Sequence, residues 1–235
     1  MKLRRIPLWW WVAAVAAVVF SLWPQIDLYI SGMAYEAGSG FVGNRYLVIR
    51  VIYDSARWLT IAALLLGLGL LLGSFVKGWR GPWPRRGIGA FLLLSLLLGP
   101  GLMVNSVLKE YWGRARPHQV VDFGGSKPFT PALQPAANCE RNCSFVSGHS
   151  AIGFWWLALG LAWPAWRWRA LLLGVVLGGM LGLTRIMQGG HFTSDVVFSF
   201  LVVWGTAELL AWIFRRKGWL PSTVPPGAGA GSPGT

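Results

Sequence analysis

Side chains that could do chemistry concentrate in three short segments of the 235-residue chain. Together they offer two imidazoles, a carboxylate, three cations and a serine–glycine pair, in a chain that has only 3 histidines. An imidazole can attack phosphorus or move a proton, while lysine and arginine bind phosphate oxygens. This combination predicts chemistry on a phosphate ester. The residues are Lys109 and Arg116; Ser147, Gly148 and His149; and Arg185, His191 and Asp195.

The first segment runs from Lys109 to Arg116 at the end of an apolar stretch. A proline disfavours the helical conformation in the residue before it, so we expect a helix here to fray near Gly113 and end before Pro117. If the helix persists, Lys109 and Arg116 are two turns apart and share a face. Arginine offers a planar fork for two phosphate oxygens, and lysine offers a mobile point charge. The alternative is a basic collar at a membrane interface.

The second segment, Ser147-Gly148-His149, leads directly into another apolar stretch. Serine is a favoured N-cap, and a helix that starts after it presents free backbone N–H groups and the positive end of its dipole. Gly148 lets a ligand approach that backbone closely. We therefore expect an oxyanion site at this helix start. A plain N-cap beside a surface histidine is the alternative.

The third segment runs from Arg185 through His191 to Asp195, between two apolar stretches. On one continuous helix Arg185 and His191 would point to different sides, so Gly189 and Gly190 are expected to make a turn that lets them converge. His191 and Asp195 are one helical turn apart if a helix begins near His191. A neighbouring carboxylate fixes the tautomer of an imidazole and leaves the other ring nitrogen free to attack phosphorus. The alternative is a loop histidine beside an acid that only stabilises a helix N-terminus.

The elements that must position these segments are strongly apolar. Hydrophobic residues make up 54% of the chain, which has 16 tryptophans and a mean hydropathy of +0.52, and this excludes an ordinary soluble fold. A membrane-spanning helix needs about 20 apolar residues. Six stretches approach this length, although the fourth and fifth are short, so we predict an all-α, polytopic bundle of six transmembrane helices. The predicted spans are 7–23, 51–72, 87–107, 151–166, 170–183 and 194–214.

The net charge of +13 indicates membrane orientation and not nucleic-acid binding, because the basic residues are placed in alternate loops. The N-terminus, the loops after spans 2 and 4, and the segment after span 6 carry basic residues and no acids. The positive-inside rule assigns these regions, and with them both termini, to the cytoplasm. The three chemistry-bearing segments all fall on the opposite, outward side. The basic residues are Lys2, Arg4, Arg5, Lys77, Arg80, Arg85, Arg86, Arg167, Arg169, Arg215, Arg216 and Lys217.

Cys139 and Cys143 lie in the longest outward loop, which suits an oxidising compartment. A disulfide between them is the preferred interpretation, and two free thiols are the alternative. A metal site is disfavoured because two ligands without a matching pair elsewhere are incomplete.

The two ends of the chain differ in character. The first span has a charged start like a signal peptide, but no small-residue cleavage site follows it, so we expect it to be retained. The last residues are rich in Pro, Gly, Ser and Ala, a composition typical of disorder. The expected organisation is one domain over residues 1–220 and a disordered tail over 221–235.

The combined spacing of the three segments resembles that of the type 2 phosphatidic acid phosphatase (PAP2) superfamily of membrane lipid phosphatases. That superfamily shares its motif with bacterial class A acid phosphatases and vanadium haloperoxidases. Val146 is a departure, because the family often has proline there, but it removes no chemical group. The motif in this chain is Lys109 with six intervening residues to Arg116-Pro117, then Ser147-Gly148-His149, then Arg185 with five intervening residues to His191 and three more to Asp195.

The resemblance implies a role for each motif residue. His191 is the expected nucleophile that forms a phosphohistidine, Asp195 orients it, and His149 protonates the leaving oxygen and then helps to activate water. Cations at the site can neutralise the phosphate, so no metal or other cofactor is expected. The expected phosphate-binding groups are Lys109, Arg116, Arg185, Ser147 and the Gly148 backbone N–H.

The resemblance also implies a lipid phosphatase of the bacterial inner membrane with its active site on the periplasmic side. The stretch 142–149, with its paired cysteines, is most similar to the lipid A 1-phosphatase branch. Phosphatidylglycerol phosphate, phosphatidic acid and undecaprenyl or other isoprenyl pyrophosphates are the other candidate substrates. A lipid phosphotransferase and a non-catalytic phospholipid carrier are the alternative functions. The expected partners are a phosphorylated lipid and the bilayer, and no nucleic acid.

Overall fold

The structure is a computed structural model that describes residues 8–75 and 85–221. Most of these residues are helical, and the helices pack around one main apolar core with a smaller cluster beneath the loops at one end. The all-α membrane fold is as predicted. Some predictions fall outside the described residues, namely those on Lys2, Arg4, Arg5, Lys77 and Arg80, on the first residue of span 1, and on the tail after Pro221.

The chain contains both long and short helices, and one small antiparallel sheet pairs Tyr35 with Phe41. The strands are β1 (Tyr35–Glu36) and β2 (Gly40–Phe41), and single 3₁₀ turns cover Val42–Arg45, Pro117–Gln119, Val121–Phe123 and Pro164–Trp166. The helices are α1 (Leu8–Leu22), α2 (Gln25–Gly32), α3 (Leu47–Gly73), α4 (Arg85–Leu96), α5 (Lys109–Tyr111), α6 (Gly148–Trp155), α7 (Ala158–Ala162), α8 (Arg167–Met187) and α9 (Thr193–Arg216).

Within the described ranges, four helical stretches are long and apolar enough to cross a membrane. They correspond to the predicted spans 2, 3, 5 and 6, and α8 has 21 residues, so the prediction that the fifth span is short was wrong. Helices α1 and α2 form a fifth candidate, as a pair bent by 82°. The four stretches are Leu47–Gly73, Arg86–Tyr111, Pro164–Met187 and Thr193–Arg216.

The predicted fourth span, 151–166, is two short helices, α6 and α7, followed by a 3₁₀ turn. Most residues of α6 and α7 are buried between other helices. Trp155 is completely buried, and its indole N–H donates to Ser95 Oγ at 2.9 Å. A helix enclosed by protein needs no continuous lipid-facing surface, which explains why its apolar stretch is short.

The third span changes from an α-helix to a π-helix before it reaches the first chemistry-bearing segment. Residues Leu97–Leu108 form a π-helical stretch that contains Pro100, whose ring cannot supply the backbone N–H of a regular helix. Asn105 Nδ2 donates to the Pro100 carbonyl at 2.8 Å, which satisfies an acceptor in the wider turn. The stretch leads directly into α5, which begins with Lys109.

Glycines bring α6 and α8 into backbone contact. A Cβ on Gly153 would lie 2.5 Å from the Cα of Gly178, and a Cβ on Gly174 would lie 2.8 Å from the Leu157 nitrogen. Such small-residue contacts let membrane helices approach closely. The contact holds the end of α8 beside the start of α6, so Arg185 comes near His149.

Candidate active site

The three segments singled out in the sequence converge at one end of the bundle. The Ser147 N–H donates to the Asp195 carbonyl at 3.1 Å, and the Cys143 N–H donates to the Lys109 carbonyl at 2.9 Å. The His118 N–H donates to the Gly189 carbonyl at 3.1 Å. The bonds of Cys143 and His118, which lie just before the second segment and just after the first, connect the first segment to its two neighbours, and the Ser147 bond joins the second segment to the third.

The turn between α8 and α9 forms at the predicted glycines. Gly189 has a φ of 65°, a left-handed conformation that favours glycine. A Cβ on Gly190 would lie 2.1 Å from Nη2 of Arg185, so the guanidinium packs directly on this backbone. The turn therefore lets Arg185 and His191 share one site, although His191 precedes α9 and is not part of it.

His191 is held in one orientation, with one ring nitrogen available for reaction. Its side chain is buried, and Nδ1 lies 2.7 Å from the Ser144 carbonyl oxygen and 3.6 Å from Oδ2 of Asp195. Because a carbonyl oxygen only accepts, Nδ1 carries the proton in this contact and the lone pair of the neutral ring is on Nε2. The nearer orienting group is thus the Ser144 carbonyl, which the sequence did not indicate.

Asp195 is fixed by groups on three sides. Its carboxylate accepts from Arg114 Nη1 at 2.6 Å, from the Ser144 hydroxyl at 2.5 Å and from the Phe192 backbone N–H at 2.8 Å. The carboxylate is completely buried, and a buried charge requires such partners.

Arg114 and Asp27 form a buried network behind His191 that the sequence did not reveal. Arg114 is completely buried and donates through Nη2 to Asp27 Oδ2 at 2.8 Å, in addition to its contact with Asp195. Asp27, on α2, also accepts from the backbone N–H and hydroxyl of Ser194. Arg114 was visible as an additional cation in the first segment, but nothing near Asp27 distinguishes it from the other outward acids.

His149 occupies a more open position, on the ring of Tyr53. Ser147 is the N-cap of α6, as predicted, so His149 lies in the first turn of that helix. The His149 and Tyr53 rings are stacked with centroids 4.2 Å apart, and the Arg185 guanidinium lies 5.1 Å from the Tyr53 ring centroid. Tyr53 belongs to α3 and therefore supports both groups from a span that carries no part of the motif.

Lys109 and Arg116 come together although they do not share a helix face, because the helix ends before Pro117, as expected. The helix ends at Tyr111, and Arg116 has an extended backbone. Both side chains instead contact Oδ1 of Asn142, each at 2.9 Å. Asn142 has a φ of 51°, and it belongs to the loop segment just before the disulfide residue Cys143. That loop gathers two cations that the helix alone would not bring together.

The disulfide links Cys139 to Cys143, with Cα atoms 5.6 Å apart. The bridge encloses Asn142 and lies one residue before Ser144, whose carbonyl contacts His191. The loop thus contributes to both the cation pair and the His191 contact.

The start of α6 lies beside the cations. A Cβ on Gly148 would lie 2.5 Å from Asn105 Oδ1 and 3.5 Å from Lys109 Nζ, so only glycine leaves this surface of the helix start open. Lys109, Arg116 and Arg185 form no ion pair with any carboxylate among the described residues. Three uncompensated cations beside a helix N-terminus make a binding site for a multiply charged oxyanion.

Both site histidines have depressed pKa values. Burial, with a smaller effect from Arg185 and Lys109, lowers the pKa of His191 to about 3 despite the opposing effect of Asp195. Burial followed by the charges of Arg185, Lys109 and Arg116 lowers the pKa of His149 to about 4. Both rings are therefore neutral near neutral pH in the ligand-free site. Within residues 8–75 and 85–221, no three His, Cys, Asp or Glu side chains are grouped to hold a metal ion.

Comparison with known proteins identifies the family of the chain. Residues 89–219 match the PAP2 superfamily. A lipid A 4′-phosphatase of Francisella tularensis subsp. novicida (strain U112) is 36% identical over 211 residues, covering 88% of this chain and 94% of the relative. A lipid A 4′-phosphatase of Rhizobium etli is 33% identical over 214 residues, covering 82% of this chain and 80% of the relative. No solved structure gave a significant match.

A lipid A 1-phosphatase of Rhizobium etli is 36% identical over 141 residues, covering 60% of this chain and 56% of the relative. The chain therefore belongs to the PAP2 superfamily. It is a multi-pass membrane enzyme, a lipid phosphatase that hydrolyses phosphoric monoesters.

Proposed function

We propose that this protein removes a phosphate group from lipid A through a phosphohistidine intermediate and without a metal ion. One observation carries the proposal. A buried histidine with an available Nε2 lies at the same end of the bundle as a second, half-buried histidine and three cations that form no ion pair with a carboxylate of the described residues. Phosphoryl transfer depends mainly on positioning and charge neutralisation, and these cations can supply the neutralisation.

In the first step, Nε2 of His191 attacks phosphorus and the bond between phosphorus and the ester oxygen breaks. The Ser144 carbonyl and Asp195 hold Nδ1–H and stabilise the positive charge that develops on the ring. Lys109, Arg116 and Arg185 bind the phosphoryl oxygens, together with the N–H of Gly148 and the Ser147 hydroxyl.

His149 supplies the proton that the leaving oxygen needs. Its pKa of about 4 in the ligand-free site is depressed partly by neighbouring cations, so a bound phosphate dianion that neutralises them raises this pKa. In the second step the neutral ring removes a proton from water, which attacks phosphorus as the bond to His191 Nε2 breaks.

The relatives that cover most of this chain are named lipid A 4′-phosphatases, whereas the relative named lipid A 1-phosphatase covers less of it. The sequence alone favoured the 1-phosphatase branch. We therefore propose the 4′-phosphate as the first bond to test and the 1-phosphate as the second.

The proposed topology has six spans, with both termini in the cytoplasm and the site on the periplasmic side of the inner membrane. Arg215, at the end of α9, donates to the Leu161 carbonyl at the end of α7. The basic C-terminal end of α9 therefore lies away from the site. Helix α1 runs from a contact between Trp9 and the Leu201 carbonyl, near the middle of α9, to α2, where Asp27 contacts Ser194, so its chain direction is towards the site. Segregated basic loops support this orientation.

The decisive experiment measures phosphate released from bisphosphorylated lipid A in detergent, with the 1- and 4′-monophosphate products separated. We expect His191→Ala to lower turnover by at least about 10⁴-fold, because the substitution removes the proposed nucleophile. Lys217→Gln, at the exposed far end of α9, should leave the rate unchanged.

Turnover should persist in excess chelator, and rapid quenching of ³²P-labelled substrate should label His191. Phosphate release by His191→Ala near the wild-type rate would contradict the proposal. Transfer of the label to a second lipid in place of water would identify a phosphotransferase. Lipid binding that survives in a protein with no turnover would identify a carrier.

A further inference from the structure

We propose that the open cavity beside His149 is a leaving-group subsite that binds a sugar headgroup. The inference rests on the proposed function, because it assigns the position of the alcohol that the phosphatase releases. The cavity has a volume of about 470 Å³ and is lined by Tyr53, Asp54, Ala56, Arg57, Trp58 and His149.

The chemistry determines the side on which the leaving group lies. In phosphoryl transfer the attacking and leaving atoms are roughly in line with phosphorus. His191 is completely enclosed by protein, whereas His149 is half-buried and faces the cavity. A phosphate held between the two imidazoles therefore has its ester oxygen on the side of His149. The alcohol attached to that oxygen extends into the cavity.

The cavity lies at the depth of a lipid headgroup. Helix α3 has 27 residues and is about 40 Å long, which exceeds the hydrocarbon core of a bilayer, about 30 Å thick. The charged residues Arg50, Asp54 and Arg57 lie in its N-terminal half, and residues 59–72 are uncharged and mostly apolar. The stretch from Asp54 to the end of α3 at Gly73 is about 30 Å long and matches the hydrocarbon core, so the cavity lies at the boundary between that core and the polar surface.

The exposed lining side chains suit a ring with several hydroxyl groups. Asp54 and Arg57 are exposed and form no ion pair with another described residue, so a carboxylate acceptor and a guanidinium donor are both available. Trp58 is 67% exposed and adds a flat apolar surface. The volume is within the range of sites that enclose a whole small molecule, about 300–1,000 Å³.

The subsite is also connected to the catalytic groups. Tyr53 and Arg57 are four residues apart on α3 and share a face, and Tyr53 stacks on His149. A headgroup bound here lies against the group that protonates its oxygen. No sequence motif points to these residues, because they belong to a span without motif residues.

The test compares Asp54→Asn, Arg57→Gln and Trp58→Leu on two substrates, lipid A and phosphatidic acid, which has no sugar. On lipid A each variant should raise KM about tenfold with kcat unchanged. On phosphatidic acid each should keep kcat/KM within about twofold of wild type. Arg50→Gln is the matched control, since Arg50 is exposed on the same helix, contacts the Asn44 carbonyl and does not line the cavity.

Equal effects on both lipids, effects no larger than those of Arg50→Gln, or no effect on lipid A would overturn the subsite. If the wild-type protein releases phosphate only from lipid A, the subsite is tested by whether the KM of each variant on lipid A exceeds that of Arg50→Gln. A wild-type protein that releases phosphate from neither lipid contradicts the proposed function instead.

Discussion

The two histidines of the motif occupy very different surroundings. His191 is buried, and its Nδ1 lies against the Ser144 carbonyl and an Asp195 carboxylate that is itself held by Arg114. His149 is half-buried, rests on the exposed side of the bundle against Tyr53 and opens on a cavity. The first position is enclosed and held by several contacts and is therefore rigid, whereas the second is open and therefore adjustable.

This difference matches what the two proposed roles require. A nucleophile must keep one nitrogen unprotonated and aimed at phosphorus, which burial and fixed hydrogen bonds provide. A general acid must change its protonation state during the reaction and meet a leaving group, which requires access and a pKa that responds to the bound anion. The following predictions test this division of roles.

The largest effect should separate the two histidines on an activated aryl phosphate, nitrophenyl phosphate, whose leaving group needs no proton. His149→Gln should release about one equivalent of nitrophenol and then stall, because the intermediate forms but water is not activated. Its steady-state rate should fall roughly 10²- to 10⁴-fold. Rapid-mixing absorbance measures the burst, with His191→Ala as the comparison, which should show no burst. A burst in His191→Ala would indicate that His149, and not His191, is the nucleophile.

The next effect concerns the rigid region. Asp27→Asn removes one of the two carboxylates that compensate buried Arg114, so the free energy of unfolding should fall by about 3 kcal/mol or more. At a temperature where the variant is fully folded, kcat should fall at least about tenfold with KM unchanged, since His191 is misaligned through Arg114 and Asp195. Asp122→Asn is the control, because Asp122 is exposed. An unchanged kcat in the folded Asp27→Asn variant would show that Asp27 stabilises the fold but does not position His191.

The smallest effect is proton uptake at the adjustable position. Sulfate does not titrate between pH 5 and 7, so any proton taken up on its binding belongs to the protein. The ligand-free pKa of His149 is about 4, and a bound dianion raises it, so binding near pH 5.5 should take up a fraction of a proton. Calorimetry in buffers of different ionisation enthalpy measures the uptake. Equal uptake in His149→Gln would assign the proton to another group.

Much of the site could be predicted because the motif residues are close together in sequence and have distinctive chemistry. The spacing of Lys109, Arg116 and the other motif residues, and the alternation of basic loops, indicated a phosphate site at one end of a helical bundle. The Ser147 N-cap and the turn at Gly189 followed from local conformational preferences. The helix ended near Gly113, as expected, but no local rule indicated that Asn142 would bring Lys109 and Arg116 together.

The sequence by itself determined the membrane character and the three segments that converge at one end of the bundle, because composition and short-range spacing encode them. Only the tertiary structure decided that Asp27 contacts Ser194, a residue 167 positions away, that Tyr53 supports His149, and that the predicted fourth span is a buried pair of helices. These contacts arise from helix packing over long sequence separations. The local sequence pattern does not indicate which acid or which tyrosine will contact a distant helix.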